Sequence, residues 1–164
     1  MKSSKYPFNK IANLLLLLFF SNICSAEYLE NLQIKKVVDG DTVHVYYQNE
    51  IYKVRLIEID APERNQPYGK DSTGYLKSLL KNGYVDVDIS GTDRYGRKLG
   101  RLYWKGRDIN RAMVSAGYAW VYVDYVTDRS FYENQGKARE LKRGLWKDSS
   151  PLPPWKWRKR KKQQ

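Results

Sequence analysis

The chain has 164 residues, with 30 lysines and arginines against 18 acidic residues and a formal net charge of +12, a balance that suits a polyanionic partner such as nucleic acid. A single cysteine and a single histidine exclude an intrachain disulfide framework, a multi-thiolate metal centre and a metal site built from several histidines. The length allows one ordinary domain once the N-terminal segment is set aside.

That segment carries Lys2, Lys5 and Lys10, then an apolar run from Leu14 to Phe20, then Cys24-Ser25-Ala26. This is the layout of a secretory signal peptide cleaved near Ala26. The apolar run falls well short of the roughly 20 residues that span a bilayer. Cleavage would leave 138 residues, 27 basic against 18 acidic, with no cysteine. The expectation is a secreted protein, extracellular or periplasmic, that is a monomer and is stabilised by packing alone.

Residues Gln33 to Val45 alternate and are rich in β-branched side chains, interrupted by Asp39-Gly40-Asp41, and Ile51 to Ile59 resumes the pattern. These read as three strands, with hairpin turns at Asp39-Gly40 and at Gln48-Asn49-Glu50. Pro62 ends the third strand. Between Tyr68 and Asn82 the apolar residues recur at helical spacing and Gly83 stops them, so a helix follows. Tyr84 to Ile89 and Leu99 to Trp104 read as strands four and five. Asp108 to Ala116 reads as a short helix, Tyr118 to Tyr125 as an extended aromatic stretch, and Ser130 to Lys142 as a third helix ending before Gly144.

Residues 27–150 thus form the domain, and Pro151, Pro153 and Pro154 mark its end. The tail 151–164, basic and without apolar periodicity, is expected to be mobile and at most to grip phosphates. Five strands with a helix between the third and fourth give a mainly β class with α, the order of a five-stranded Greek-key barrel of the OB type with three helices.

Three carboxylates sit where strands end: Asp41, Asp60 and Glu63. Two carboxylates, a backbone carbonyl and waters would make an open site for a hard divalent cation. Arg55 lies inside the third strand and Arg97 follows the Asp93-Arg94-Tyr95-Gly96 turn. Guanidinium groups bind phosphate in a bidentate fork, so two of them beside a cation would stabilise a phosphodiester under attack. Five positions separate Arg55 from Asp60, so strand alternation alone leaves them on opposite faces, and they meet only if the chain turns near Ile59-Asp60. His44 stands alone and reads as a bystander.

Val38-Asp39-Gly40-Asp41-Thr42, Val54-Arg55-Leu56-Ile57-Glu58-Ile59-Asp60-Ala61-Pro62-Glu63 and Thr92-Asp93-Arg94-Tyr95-Gly96-Arg97 resemble, in order and spacing, the three signatures of the staphylococcal (micrococcal) nuclease family. Asn110 to Gly117, Ala119 to Tyr122 and Gly144-Leu145-Trp146 extend the resemblance over about residues 32 to 146. It implies an OB barrel and calcium-dependent (Ca2+) hydrolysis of DNA and RNA to 3′-phosphate ends. It also implies that Asp41, Asp60 and the carbonyl of Ala61 hold calcium, and that Arg55, Glu63 and Arg97 form the catalytic set. Arg94, Tyr95, Tyr122 and Tyr125 fall at or near substrate-binding positions, with Tyr122 and Tyr125 both candidates for stacking on a base. Ala61 stands where the best-known member has threonine. The rival readings are a non-catalytic nucleic-acid-binding OB module and a cationic protein acting on membranes or cell walls.

Overall fold

Alternating residues do become strands in the computed structural model, which describes residues 27–163; the signal-peptide expectation lies outside the described residues. The barrel strands are β1 (Glu27–Val37), β2 (Thr42–Tyr47), β3 (Glu50–Leu56), β5 (Tyr84–Thr92) and β6 (Lys98–Trp104). Short pieces accompany them: β4 (Ile59–Asp60), β7 (Arg107–Asp108) and β8 (Trp120–Val121). Antiparallel pairings run β3-β2-β1-β5-β6, and β3 then closes onto β6 in parallel, with Arg55 opposite Leu99. The result is the closed five-stranded barrel expected. Val43, Val45, Val54, Leu56, Val85, Val87 and Leu102 point inward and are fully buried, which supplies the apolar burial that stabilises a single domain.

β1 begins at Glu27, six residues earlier than the alternation indicates. Its pairing with β5 shifts register between Leu29 and Leu32, and Asn31 adopts a φ of 55°. This bulge turns Leu29 and Leu32 inward at a spacing of three, so a period of two does not detect them. The turn between β2 and β3 is as expected, with Gln48 and Asn49 both at positive φ, the conformation that suits a two-residue hairpin.

The stretch 51–59 is not one strand. The chain turns at Ile57-Glu58, where Glu58 has a φ of 65°, and β4 then leaves the barrel to pair with β8, Asp60 opposite Trp120. Glu58 is buried and holds this turn: its Oε1 accepts from Thr127 N at 3.0 Å, Thr127 Oγ1 at 2.7 Å and Asp128 N at 2.8 Å, and its Oε2 pairs with Arg101. Asn110 ties the same turn to the barrel by donating to Ile57 O at 3.0 Å while accepting from Leu102 N at 3.1 Å. The aromatic stretch 118–125 is extended only over β8. It then folds into a turn, with Val126 N donating to Tyr122 O at 2.9 Å.

Helices α1 (Gly69–Leu79), α2 (Ile109–Ser115) and α3 (Ser130–Glu140) lie where the spacing places them, followed by a 3-10 turn over Gly144–Lys147. Asp108 caps α2 by accepting from Arg111 N at 2.8 Å. The expectation of a mobile tail is corrected: Pro154–Lys161 forms α4, a fourth helix among the described residues. Proline at its first position is already set at helical φ. Tertiary contacts take the place of apolar periodicity: Trp155 packs on Trp120 and Tyr122, Gln66 Nε2 donates to Leu152 O at 2.6 Å, and Trp157 Nε1 donates to Asn65 Oδ1 at 3.4 Å.

Candidate active site

The first acid is set by the turn from β1 to β2. Asp39 Oδ1 accepts from Asp41 N at 3.1 Å, and Val38 N donates to Thr42 O at 2.9 Å. Asp41 is thereby held at the barrel mouth, buried, with its Oδ2 accepting from Ala61 N at 2.8 Å. Gly40 is required here by space rather than by backbone angle: a Cβ on it would lie 2.0 Å from Ser72 Oγ of α1 and 2.6 Å from the Ala61 Cβ.

The second acid arrives by the Ile57-Glu58 turn. Reversing the chain there brings Asp60 back over Arg55, so two residues that alternation separates come into contact. Arg55 Nη2 lies 3.1 Å from Asp60 Oδ1 and 3.2 Å from Asp41 Oδ2, while Nη1 donates to Leu56 O. The Arg55 side chain is mostly buried and that of Asp60 almost wholly so. Burial raises the Asp60 carboxyl above its ordinary range and the Asp41 charge adds to this, against the hydrogen bond from Arg158 and the nearby Arg55 charge. Burial and Asp41 likewise push Asp39 up to about 6.

Glu63 stands on a loop that starts at the buried Pro62. Its N–H donates to Gln66 Oε1 at 3.1 Å, and its carbonyl accepts from Gln66 N at 2.8 Å. Gly69 lets the loop pack onto the start of α1, since a Cβ there would lie 1.9 Å from Glu63 O. The carboxylate is part exposed and reaches the cluster through Arg158 of α4. Arg158 Nη1 lies 2.9 Å from Glu63 Oε1 and 3.1 Å from Asp60 Oδ1, and Nη2 lies 2.8 Å from Asp60 Oδ2. Burial opposes the charge on Arg158, but the bonds to Asp60 and Glu63 outweigh it and raise its pKa.

The expected residues divide into those the fold brings together and those it does not. Asp41, Asp60, Ala61 and Arg55 form one contact network, and Glu63 joins it through Arg158. Arg97 is tied to Asp93 instead: its Nε donates to Asp93 Oδ2 at 2.8 Å, its backbone N–H to Oδ1 at 3.0 Å. Desolvation raises the Asp93 pKa, but these bonds and that from Tyr95 N together outweigh it and lower it. Two residues beyond Arg97 comes Leu99, the partner of Arg55, so the Asp93–Arg97 turn enters the barrel beside the cluster. Arg94 and Tyr95 are exposed and bond to each other, Arg94 Nη2 to Tyr95 Oη at 2.6 Å.

Tyr122 is close enough to Asp60 that, after burial, the Asp60 charge raises the pKa of its hydroxyl. One face of its ring is stacked on Trp155, at 5.9 Å between centroids and 9° between planes, and Tyr125 packs at 4.8 Å. Tyr125 itself is largely exposed. Arg158 and Trp155 are the site residues that the sequence reading misses. Their spacing of three places them on one helix face, and Pro153-Pro154 just ahead of them is the signal for a helix start.

The cluster's charge bears on a cation. Asp41, Asp60 and Glu63 meet the guanidiniums of Arg55 and Arg158, an excess of one negative charge, and Asp39 stands close behind Asp41. Among the described residues no three carboxylate or imidazole groups converge on one point. An ion here would therefore take Asp41 and Asp60, and complete an oxygen shell from backbone carbonyl and water, a donor set that suits a hard cation.

A closed OB-type barrel with a buried acid and arginine cluster at its mouth defines the class. A model of the staphylococcal nuclease homologue family matches residues 53–148, and the chain belongs to that family. It is 47% identical over 130 residues to an uncharacterized endonuclease of Escherichia coli O157:H7, covering 79% of this chain and 85% of that protein. It is 38% identical over 141 residues to the micrococcal nuclease of Shigella flexneri, covering 79% and 81%. An uncharacterized endonuclease of Haemophilus influenzae is 37% identical over 153 residues, covering 93% and 85%.

Proposed function

We propose that the chain is a secreted, calcium-dependent endonuclease that hydrolyses DNA and RNA to products ending in a 3′-phosphate. The observation that carries the reading is the convergence of Asp41, Asp60 and Arg55 from three separate stretches of chain into one buried cluster beside Glu63. Relatives called endonuclease and micrococcal nuclease support it.

In this reading Asp41, Asp60 and the Ala61 carbonyl hold calcium. Bound there, the ion would act as a Lewis acid on a phosphate oxygen. Arg55, fixed between the two aspartates, supplies positive charge where the pentacoordinate phosphorus gains negative charge. Glu63 accepts the proton of the attacking water as the water oxygen bonds to phosphorus. The bond from phosphorus to the 5′-oxygen breaks, that oxygen leaves with the bonding pair and takes a proton from solvent water to become a hydroxyl, and the phosphate stays on the 3′ side. Arg97, carried by the Asp93 turn, neutralises charge on the phosphate and leaving oxygen. Tyr122 and Tyr125 offer π-faces to a base, and Arg94 and Tyr95 lie on the outer wall where a strand would pass. Secretion after cleavage near Ala26 rests on the charged and apolar pattern of residues 1–26.

Plasmid digestion by purified residues 27–164 tests the reading. Wild type in calcium should cut, the chelated enzyme should not, and Glu63→Gln should lose about 10²-fold or more in rate. Product ends should accept a 5′-label without phosphatase and need phosphatase at the 3′ side. A protein that only retards the plasmid, unchanged by chelator, sinks the enzyme in favour of a binding module.

A further inference from the structure

We infer that α4 is an autoinhibitory plug, which occupies the active site with a cation and an aromatic ring of its own and must undock before metal and substrate enter. The inference rests on Asp41 and Asp60 being the divalent-cation site proposed above.

Both oxygens of Asp60 are taken. Oδ1 receives Arg55 Nη2 at 3.1 Å and Arg158 Nη1 at 3.1 Å, and Oδ2 receives Arg158 Nη2 at 2.8 Å. The same guanidinium holds Glu63 Oε1 at 2.9 Å. One side chain thus occupies both a metal ligand and the carboxylate that would take the water proton, which argues against Arg158 as a catalytic residue in this position.

One turn earlier on the same helix face, Trp155 lies parallel to Tyr122 at 5.9 Å, covering a ring that would otherwise receive a base. α4 therefore presents the two chemical features of a metal-bound nucleotide, a positive charge on the carboxylates and a flat π-system on the tyrosine. It is anchored by Arg158, which is part exposed, by Trp157 on Asn65 at the surface, and by Trp155 on Trp120. Lys156, Lys159, Arg160, Lys161 and Lys162 face solvent on the helix, so a polyanion would draw it away as it arrives. Inhibition would then be relieved by the substrate class itself.

The test measures calcium binding to residues 27–164 by titration calorimetry, without nucleic acid, in wild type, Arg158→Ala and Trp155→Ala. Trp155→Ala leaves the charge unchanged, so its effect reports docking rather than electrostatics. Removing a competing closed state raises apparent affinity by the fraction of molecules it had closed, and both variants should bind calcium about tenfold more tightly. Hydrogen exchange adds a second readout: calcium should increase exchange over residues 154–161 of the wild type. Equal affinity in all three proteins overturns the plug, as does a gain confined to Arg158→Ala, which would be a charge effect alone. Unchanged exchange in 154–161 overturns it too. If none of the three binds calcium, the metal reading fails and takes the plug with it, a result distinct from equal binding.

Discussion

Replacing Gly40 by alanine should damage both the stability and the activity of this protein, although the residue touches neither metal nor substrate. The added Cβ would sit 2.0 Å from Ser72 Oγ and 2.6 Å from the Ala61 Cβ, where ordinary contact begins near 3.4 Å. The turn and α1 must therefore separate by about 1 Å or more, and overpacking of this kind costs about 1–3 kcal/mol. Moving Ser72 also strains the bond its hydroxyl donates to Tyr118 O at 2.6 Å, adding about 1 kcal/mol. The combined loss of about 2–4 kcal/mol corresponds to a Tm fall on the order of 10 °C for a domain of this size. Asp41 and Ala61 flank the clash, so their shared bond at 2.8 Å shifts with it. A displacement of about 1 Å at a reacting centre costs on the order of 10²-fold in rate. Thermal unfolding followed by near-ultraviolet circular dichroism, beside a plasmid-cutting rate, reads both effects. Adding Ser72→Gly should restore part of each, because the two substitutions share one contact and combine less than additively. A Gly40→Ala protein with unchanged Tm and rate, or strictly additive losses in the double variant, would refute the packing argument.

Other outcomes follow from the same contacts. Glu58→Ala should lose about 3–5 kcal/mol in urea unfolding, since it removes the buried partner of Arg101, leaving it only the longer contacts to Asp108 and Asp128, and three hydrogen bonds; Glu58→Gln, which keeps the Oε1 acceptor, should lose less. Asp128 is lowered to about 2, first by the side-chain and backbone bonds from Ser130 and then by Arg111. Its contribution is therefore complete above its ordinary value of 3.8 and is lost as pH falls toward 2. Being part exposed, it should contribute about 1 kcal/mol, and Asp128→Asn should flatten the acid limb of stability against pH by that amount. Arg97→Ala should reduce kcat by about 10²–10³-fold with Tm nearly unchanged, because its bonds lie within one surface turn.

How far the sequence carries the account depends on the residue. Val85, Val87 and Ile89 alternate, all three are buried, and β5 is there. Acids placed at strand ends announce a site, and Asp41 and Asp60 do meet. Their meeting depends on Glu58, which reads as one more polar residue in an alternating strand. In the fold it is a buried anchor at positive φ that reverses the chain two residues before Asp60. No local pattern reveals that, since the partners of Glu58 lie about 70 residues away at Thr127 and Asp128. The same holds for Gly40, whose need is created by Ser72 on α1, and for Leu29 and Leu32, whose spacing is altered by the bulge at Asn31. The helical tail is the largest departure. Charge repulsion along Trp155 to Lys162 argues for a loose chain, and it is the distant carboxylates of Asp60 and Glu63 that offset it.

A metal requirement follows directly from the catalytic role of the acid cluster. The most direct measurement is the cleavage rate of a labelled DNA strand by residues 27–164 as a function of free calcium, in wild type and in Asp60→Asn. The expected result is no cutting in chelator, saturation with calcium in the wild type, and a half-saturating concentration raised at least about tenfold in the variant, because a neutral amide is a much poorer ligand for a hard cation. Equal rates with and without calcium, or superimposable curves for the two proteins, would contradict it.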